Sequence, residues 1–293
     1  MVVAADQEGA AAASTADVDS CVTGKSHALA LASAEAKADW LLFTDGDIEF
    51  APDAVRRAVS LALREGVDHL AVAVDMILDS LGEAVFIGYF LAMFYLSQQP
   101  WRARDPRSKC SIGIGAFNLV RRVAYERSGG HERLRYELID DLGLGKILKQ
   151  SGASQMFALH GGKVRARWHV GVGGLIRGVE KNAFAALRYR LSLALPAVAS
   201  QIALSLSPVV GLFLPGLVPK IAAVLAWAGI LLVYAVIARG ARIRAWQAIL
   251  MPVGGLLFGF AILRSTAMAV ARQGLIWRGT FYPLRALRRE LLP

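Results

Sequence analysis

A chain of 293 residues is long enough for one large domain or two ordinary ones, and with 55% hydrophobic and only 19% charged residues it is too apolar for a typical soluble protein. Its net charge of +10 suits a nucleic-acid binder or a protein held at an anionic membrane face. Carboxylates nearly vanish after Leu191 while arginines persist, so the membrane reading is the better one. Two cysteines, Cys21 and Cys110, are too few for a disulfide framework.

Residues 1–23 read as a poorly specified lead-in. Met1 to Ala16 has no basic start and no continuous apolar core, and it carries Asp6 and Glu8, so it lacks the marks of a signal peptide. Gly24-Lys25 precedes a helical stretch from Ser26 to Ala38. Trp40-Leu41-Leu42-Phe43 then reads as a short buried strand that runs into Thr44-Asp45-Gly46-Asp47. A buried strand delivers such carboxylates to the carboxyl edge of a sheet, where open α/β sheets bind ligands. Gly46 permits a tight bend. Asp45 and Asp47 can then share a divalent cation that holds nucleotide phosphates. Taken alone, this window also fits a plain Asp/Gly turn after a strand.

Pro52 starts a second helix that runs to Arg64 and stops at Gly66. Asp68 to Val74 reads as another buried strand, and helix, strand, helix, strand at this spacing is an α/β pattern. Gly82 to Gln98 is apolar and aromatic and reads as a core helix in preference to one dipping towards lipid. Ile112 to Val120, interrupted by Gly113 and Gly115, reads as a strand with room for a ligand beside its backbone. A short helix from Arg121 to Gly130, a polar loop from His131 to Glu137 and a helix opening at Asp140-Asp141 follow. That acidic pair can be simple capping, because carboxylates suit a helix N-terminus. Neighbours on a helix diverge by about 100°, so at most one of the two is expected to aim squarely into a site. Short strands at Met156–Leu159 and Val164–Trp168 complete the α/β part.

Leu175 to Arg190 is amphipathic. Leu175, Ile176, Val179, Ala183 and Leu187 fall on one side, with Arg177, Lys181 and Arg188 among the polar positions, the pattern of a helix lying in a membrane interface. Three apolar stretches, residues 191–214, 221–238 and 248–270, have the length of membrane spans. Pro196 and Pro208 mark the first as kinked or re-entrant, and Arg264 in the third must face protein or snorkel. Arg239, Arg242 and Arg244 assign the loop before the third stretch to the cytoplasmic side. Three complete crossings would put the arginine-rich tail, residues 272–293, on the opposite side. Either one stretch does not cross, or the charge rule fails here.

In order and spacing these pieces resemble a membrane-bound family 2 glycosyltransferase with a GT-A catalytic domain, similar to the hopanoid-, ceramide- and carotenoid-type enzymes, over most of the chain from Gly24. Gly24-Lys25 looks like the family's Gly-Lys segment, whose lysine lies near the nucleotide diphosphate. Phe43-Thr44-Asp45-Gly46-Asp47 looks like its Asp-X-Asp motif, which binds the metal and the donor pyrophosphate. Gly115-Ala116-Phe117 and Gly129-Gly130-His131 resemble the strand and loop beside the sugar and acceptor. Asp140-Asp141 falls where the family has an acidic pair that includes the catalytic base, and Asp141 is the member chosen. Trp277 to Tyr282 resembles a tail segment of the lipid- and carotenoid-modifying members. Of the family's Gln-X-X-Arg-Trp only Arg167-Trp168 is kept; these two would meet donor phosphate and acceptor, or form an ordinary strand with an interfacial tryptophan.

The resemblance implies an α/β, GT-A-like catalytic domain over residues 24–173, an interfacial helix over 174–190, a transmembrane region over 191–271 and a basic tail. It implies an inverting enzyme that uses Mg²⁺ or Mn²⁺, a nucleotide-sugar donor and a lipid acceptor, on a multi-pass protein of the cell membrane whose catalytic domain is cytoplasmic, with no role for nucleic acid. The family also opens with a strand–helix–strand unit that holds the nucleotide base. Such a unit needs about 30 residues, and only 23 precede Gly24. The nucleotide-binding sheet is therefore expected to be incomplete and the chain truncated. Two other readings stand beside this one: an inactive fragment acting as a membrane partner, and a haloacid dehalogenase-type phosphotransferase, against which Glu49 counts.

Overall fold

The computed structural model describes residues 2–5, 24–135, 137–159, 161–277 and 280–289. The rest of the lead-in, with Cys21, lies outside the described residues, as do Arg278 and Gly279 of the tail segment. The chain forms two compact units, the first mainly residues up to Asp75 with 98–166, the second residues 76–97 with 167–288.

In chain order the first unit contains β1 (Val2–Ala5), α1 (Gly24–Glu35), β2 (Trp40–Asp45), β3 (Ile48–Phe50), α2 (Ala54–Glu65) and β4 (His69–Val72). The short β5 (Asp75–Met76) marks its border, and helix α3 (Leu81–Gln98) belongs to the second unit. The first unit resumes with β6 (Asn118–Arg121), α4 (Arg122–Ser128), α5 (Asp140–Gln150), β7 (Gln155–Ala158) and β8 (Val164–Ala166). Five strands make one sheet in the order β1-β2-β6-β4-β7, and β3 pairs antiparallel with β8. Part of the lead-in is thus a strand, parallel to β2 with Val2 opposite Leu42. In the sheet β6 runs antiparallel to both of its neighbours.

Both faces of the sheet are covered, which is why β2 reads as a continuous apolar run and not as an alternation. Leu41 and Phe43 pack with Leu29 of α1, Val120 and Leu144 of α5. Leu42 points the other way, into a cluster with Ala58 and Ala62 of α2, Leu70, Phe117 and Leu119. Small residues at Ala54, Ala58 and Ala62 line the buried stripe of α2, and Gly66 ends that helix in the left-handed region at φ 63°.

The strand expected from Ile112 is shorter than its sequence suggests. Only Asn118 onwards is strand, because the preceding segment is pressed against α5: a Cβ on Gly113 would lie 1.8 Å from the Asp141 carbonyl oxygen, and one on Gly145 would lie 2.0 Å from that of Ile112. Backbone that close to another backbone leaves no room for a ladder of ordinary side chains.

The second unit contains α3, α6 (Gly171–Ala186), α7 (Leu191–Phe213), α8 (Leu217–Ile237), α9 (Met251–Ala271), a hairpin of β9 (Gly274–Trp277) and β10 (Thr280–Pro283), and α10 (Leu284–Arg289). Among the described residues, four segments are long and apolar enough to cross a membrane: Leu81–Arg102, Leu191–Phe213, Leu217–Ile237 and Ala245–Ala271. The first is α3 and its extension. Strand β4 precedes α3 while β6 and β7 follow it, yet all three hydrogen-bond in one sheet. A single crossing by α3 would separate paired strands, so α3 does not cross. Its Phe86, Ile87 and Tyr89 are instead buried with Leu175, Val179 and Ala261. The same cluster occupies part of the apolar face of α6.

Helix α7 keeps both Pro196 and Pro208 inside it. It runs antiparallel to α9, with Gln201 facing Gly259 and Ser205 facing Gly255, close approaches that glycine permits. Arg264 faces protein, 3.1 Å from Glu180 of α6.

Candidate functional site

The first turn of α1, the carboxyl end of β2, the glycine segment before β6 and the first turn of α5 meet at one cleft. Lys25, Thr44, Gly115, Asn118, Asp140 and Asp141 line it. Where β2 ends, the Asp45 N–H donates to the Gly115 carbonyl at 3.0 Å, and Thr44 Oγ1 donates to that of Ala116 at 2.8 Å. The glycine segment is thereby fixed against the strand that carries Asp45.

Lys25 Nζ sits 2.8 Å from Asp45 Oδ1 and 3.1 Å from Asp140 Oδ2. Burial opposes its charge, but Asp140, Asp45 and Asp141 together more than offset that cost, and the ammonium stays protonated. Asp141 turns to the other side of the cleft. Its Oδ2 accepts the Gly115 N–H and its Oδ1 the Leu142 N–H, both at 2.9 Å. A Cβ on Gly115 would lie 2.8 Å from Asp45 Oδ2 and 3.4 Å from Asp141 Oδ2, so a residue without a side chain lets two carboxylates approach one point.

Both members of the acidic pair therefore reach the cleft, where helical geometry alone led us to expect one. The divergence between them spans the opening, with Asp140 on the lysine side and Asp141 on the glycine side. Desolvation first, and Asp140 next, push the Asp141 carboxyl up to about 6, against the lowering effects of Lys25 and the Leu142 N–H. The helix terminus thus favours the ionised form but is outweighed.

Asp47 lies exposed at the turn after β2 and has no side-chain partner among the described residues. No group of three or more His, Cys, Asp or Glu side chains converges on a possible metal position among the described residues. What is present suits a cation shared with phosphate, because Mg²⁺ is held by one or two carboxylates together with substrate oxygens. Lys25 engages only Oδ1 of Asp45, while Oδ2 faces the space left by Gly115.

The remaining expected residues divide. His131 lines the cleft as a buried wall, its Nδ1 2.9 Å from the Tyr125 hydroxyl and its ring 4.7 Å from that of Phe43. Burial pushes this imidazole down to about 4, so it is neutral. Ala116 is buried and contributes its carbonyl. Phe117 is not brought to the cleft: it is a core residue on the opposite face of the sheet, edge-on to Phe50. Arg167 and Trp168 belong to the second unit, where Arg167 pairs with Asp79 and Trp168 packs 4.9 Å from the Phe90 ring.

Two polar residues went unmarked. Thr44 is buried, and Asn118 Oδ1 accepts the Ile114 N–H at 3.0 Å while contacting His69 Nε2 at 3.1 Å. Their only signal is a polar residue inside an apolar strand, which in a buried setting must find a partner.

Residues 20–129 match the family model described as glycosyl transferase family 2. Over that stretch the chain is similar to family 2 glycosyltransferases, which supports glycosyl transfer. The matched stretch holds Lys25, Asp45, Asp47 and the Gly115–Phe117 segment, and ends before His131 and the acidic pair. It favours glycosyl transfer over the haloacid dehalogenase-type alternative. No curated protein matches the chain.

Proposed function

We propose that the chain transfers a sugar, with inversion, from a nucleotide-sugar donor to a lipid acceptor at the cytoplasmic face of a membrane. The observation that carries this reading is the Lys25 ammonium bridging Asp45 and Asp140 while Asp141 stands free of it on Gly115. Lys25 offers a fixed positive charge to a departing diphosphate. Asp141, with a pKa near the working pH, takes the proton from an acceptor hydroxyl as it attacks the anomeric carbon. Asp140 holds Lys25 in place, and neutral His131 closes the wall of the cleft. A cation such as Mg²⁺ or Mn²⁺, held by Asp45 and Asp47, would neutralise charge on the diphosphate.

The lipid acceptor and the multi-pass membrane location are supported by the three apolar helices after Leu191, whose faces carry many exposed aliphatic side chains. Antiparallel packing of α7 and α9 supports an even number of crossings between Arg190 and Arg272.

Asp47→Ala is expected to abolish Mn²⁺-dependent binding of a nucleotide sugar, because Asp45 alone, half committed to Lys25, offers the cation too little. Calorimetric titration of the full chain with and without Mn²⁺ measures this. Unchanged affinity in the variant would return Asp45-Gly46-Asp47 to an ordinary turn.

A further inference from the structure

The helical unit has one strongly basic end. Between Glu180 and Glu290 the sequence holds thirteen lysines and arginines and no carboxylate. Part of this charge is gathered in space by the C-terminal segment. Arg288 of α10 donates from Nε and a terminal nitrogen to the Tyr189 carbonyl, at 3.0 and 2.7 Å, which seats α10 against the corner between α6 and α7. Arg188 and Arg190 flank that tyrosine, Arg285 lies one turn before Arg288, and Arg272 leaves the end of α9; all four are exposed. The one described acid facing them is Glu180, 4.0 Å from Arg272 and already paired with Arg264.

Apolar side chains stand exposed beside these charges. In the hairpin, Ile276 and Phe281 are cross-strand partners with 54% and 48% of their surface open, while Leu275 and Tyr282 on the other face are buried. Leu191, next to Arg190, is 44% exposed. Arginines ringed by exposed aliphatic and aromatic groups match the boundary between phosphate headgroups and acyl chains. We infer that Arg188, Arg190, Arg272 and Arg285, with the Ile276–Phe281 face of the hairpin, form a binding surface for the phosphates of anionic lipids. This rests on the membrane reading proposed above and adds that one leaflet, rich in anionic headgroups, holds both the entry to α7 and the C-terminal segment. Each arginine near such a surface attracts it independently of any catalytic event.

The full chain, reconstituted in phosphatidylcholine vesicles with a minority of phosphatidylglycerol and extracted into polymer-bounded discs, tests this by the lipid ratio it retains. The wild type is expected to enrich phosphatidylglycerol several-fold over the bulk. The triple variant R188Q/R190Q/R285Q should fall to the bulk ratio, and R188K/R190K/R285K, which keeps the charges, should remain enriched. A bulk ratio in the wild type would overturn the inference and leave the basic end to an acidic protein partner. Enrichment that survives the glutamine substitutions, or is lost in the lysine variant, would also overturn it. Alkaline carbonate extraction separates the two readings: release into the soluble fraction removes the membrane reading too, whereas a pelleted chain with a bulk ratio removes this inference alone.

Discussion

Asp141→Asn is expected to lower sugar transfer by about 10²–10⁴-fold, the usual range for loss of a general base, while donor binding stays close to wild type. Asparagine keeps the size of the side chain and one acceptor oxygen for the Gly115 or Leu142 N–H. What it loses is the ability to take a proton. The pH profile gives an independent reading. A base works in its ionised form, so wild-type transfer should rise as pH increases through about 6, where desolvation and Asp140 have moved this carboxyl. The residual activity of the variant should lack that limb. Asp140→Asn should cost transfer much less, since Asp140 is engaged with Lys25 and not with Gly115. The reverse ranking would move the base to Asp140, and two small effects would leave the pair as helix caps.

Lys25→Met carries the second large effect, this time on stability. The lysine and Asp140 side chains are only 11% and 12% exposed, and removing one partner of such a pair strands the other charge. The expected loss is about 3–5 kcal/mol at mildly alkaline pH. Its pH dependence follows from Asp141. Lys25 is the main influence holding that carboxyl down, so without it the folded-state value climbs further above the unfolded one. A group raised in this way binds protons more tightly in the folded state. Stability is then lost as pH rises through the interval between the two values and regained in acid. Denaturant melts of the variant should therefore approach wild type at about pH 5 and diverge at about pH 8. An equal loss at both would mean that Lys25 contributes through the packing of its stem.

How much of this was legible in the chain depends on the range of the interaction. β2 and its terminal aspartates could be read because a strand buried on both faces leaves a continuous apolar run, and the break into charge marks the sheet edge. The bridge from Lys25 could not, since Asp45 and Asp140 lie 20 and 115 residues away; only the resemblance suggested the lysine. Gly115 and Phe117 separate because the sheet has two faces: a glycine segment at the cleft and a core aromatic can be neighbours in sequence and lie on opposite sides. Thr44 and Asn118 are small polar residues within apolar runs, and burial decides their role. Composition favoured a packed α3 over one dipping towards lipid, yet its length and apolar character also fit a span. Its flanking strands decide that, because β4 and β6 share one sheet.

The most direct test of the cleft as a glycosyl-transfer site is release of nucleoside diphosphate from a panel of nucleotide sugars by the purified full chain. It should be run with Mn²⁺ and with a chelator, beside the Asp141→Asn variant. Turnover of at least one donor that requires the cation and collapses in the variant is the expected result. Equal release by both proteins would place the chemistry elsewhere. No turnover of any donor would contradict catalysis by this chain and return it to the role of a membrane partner.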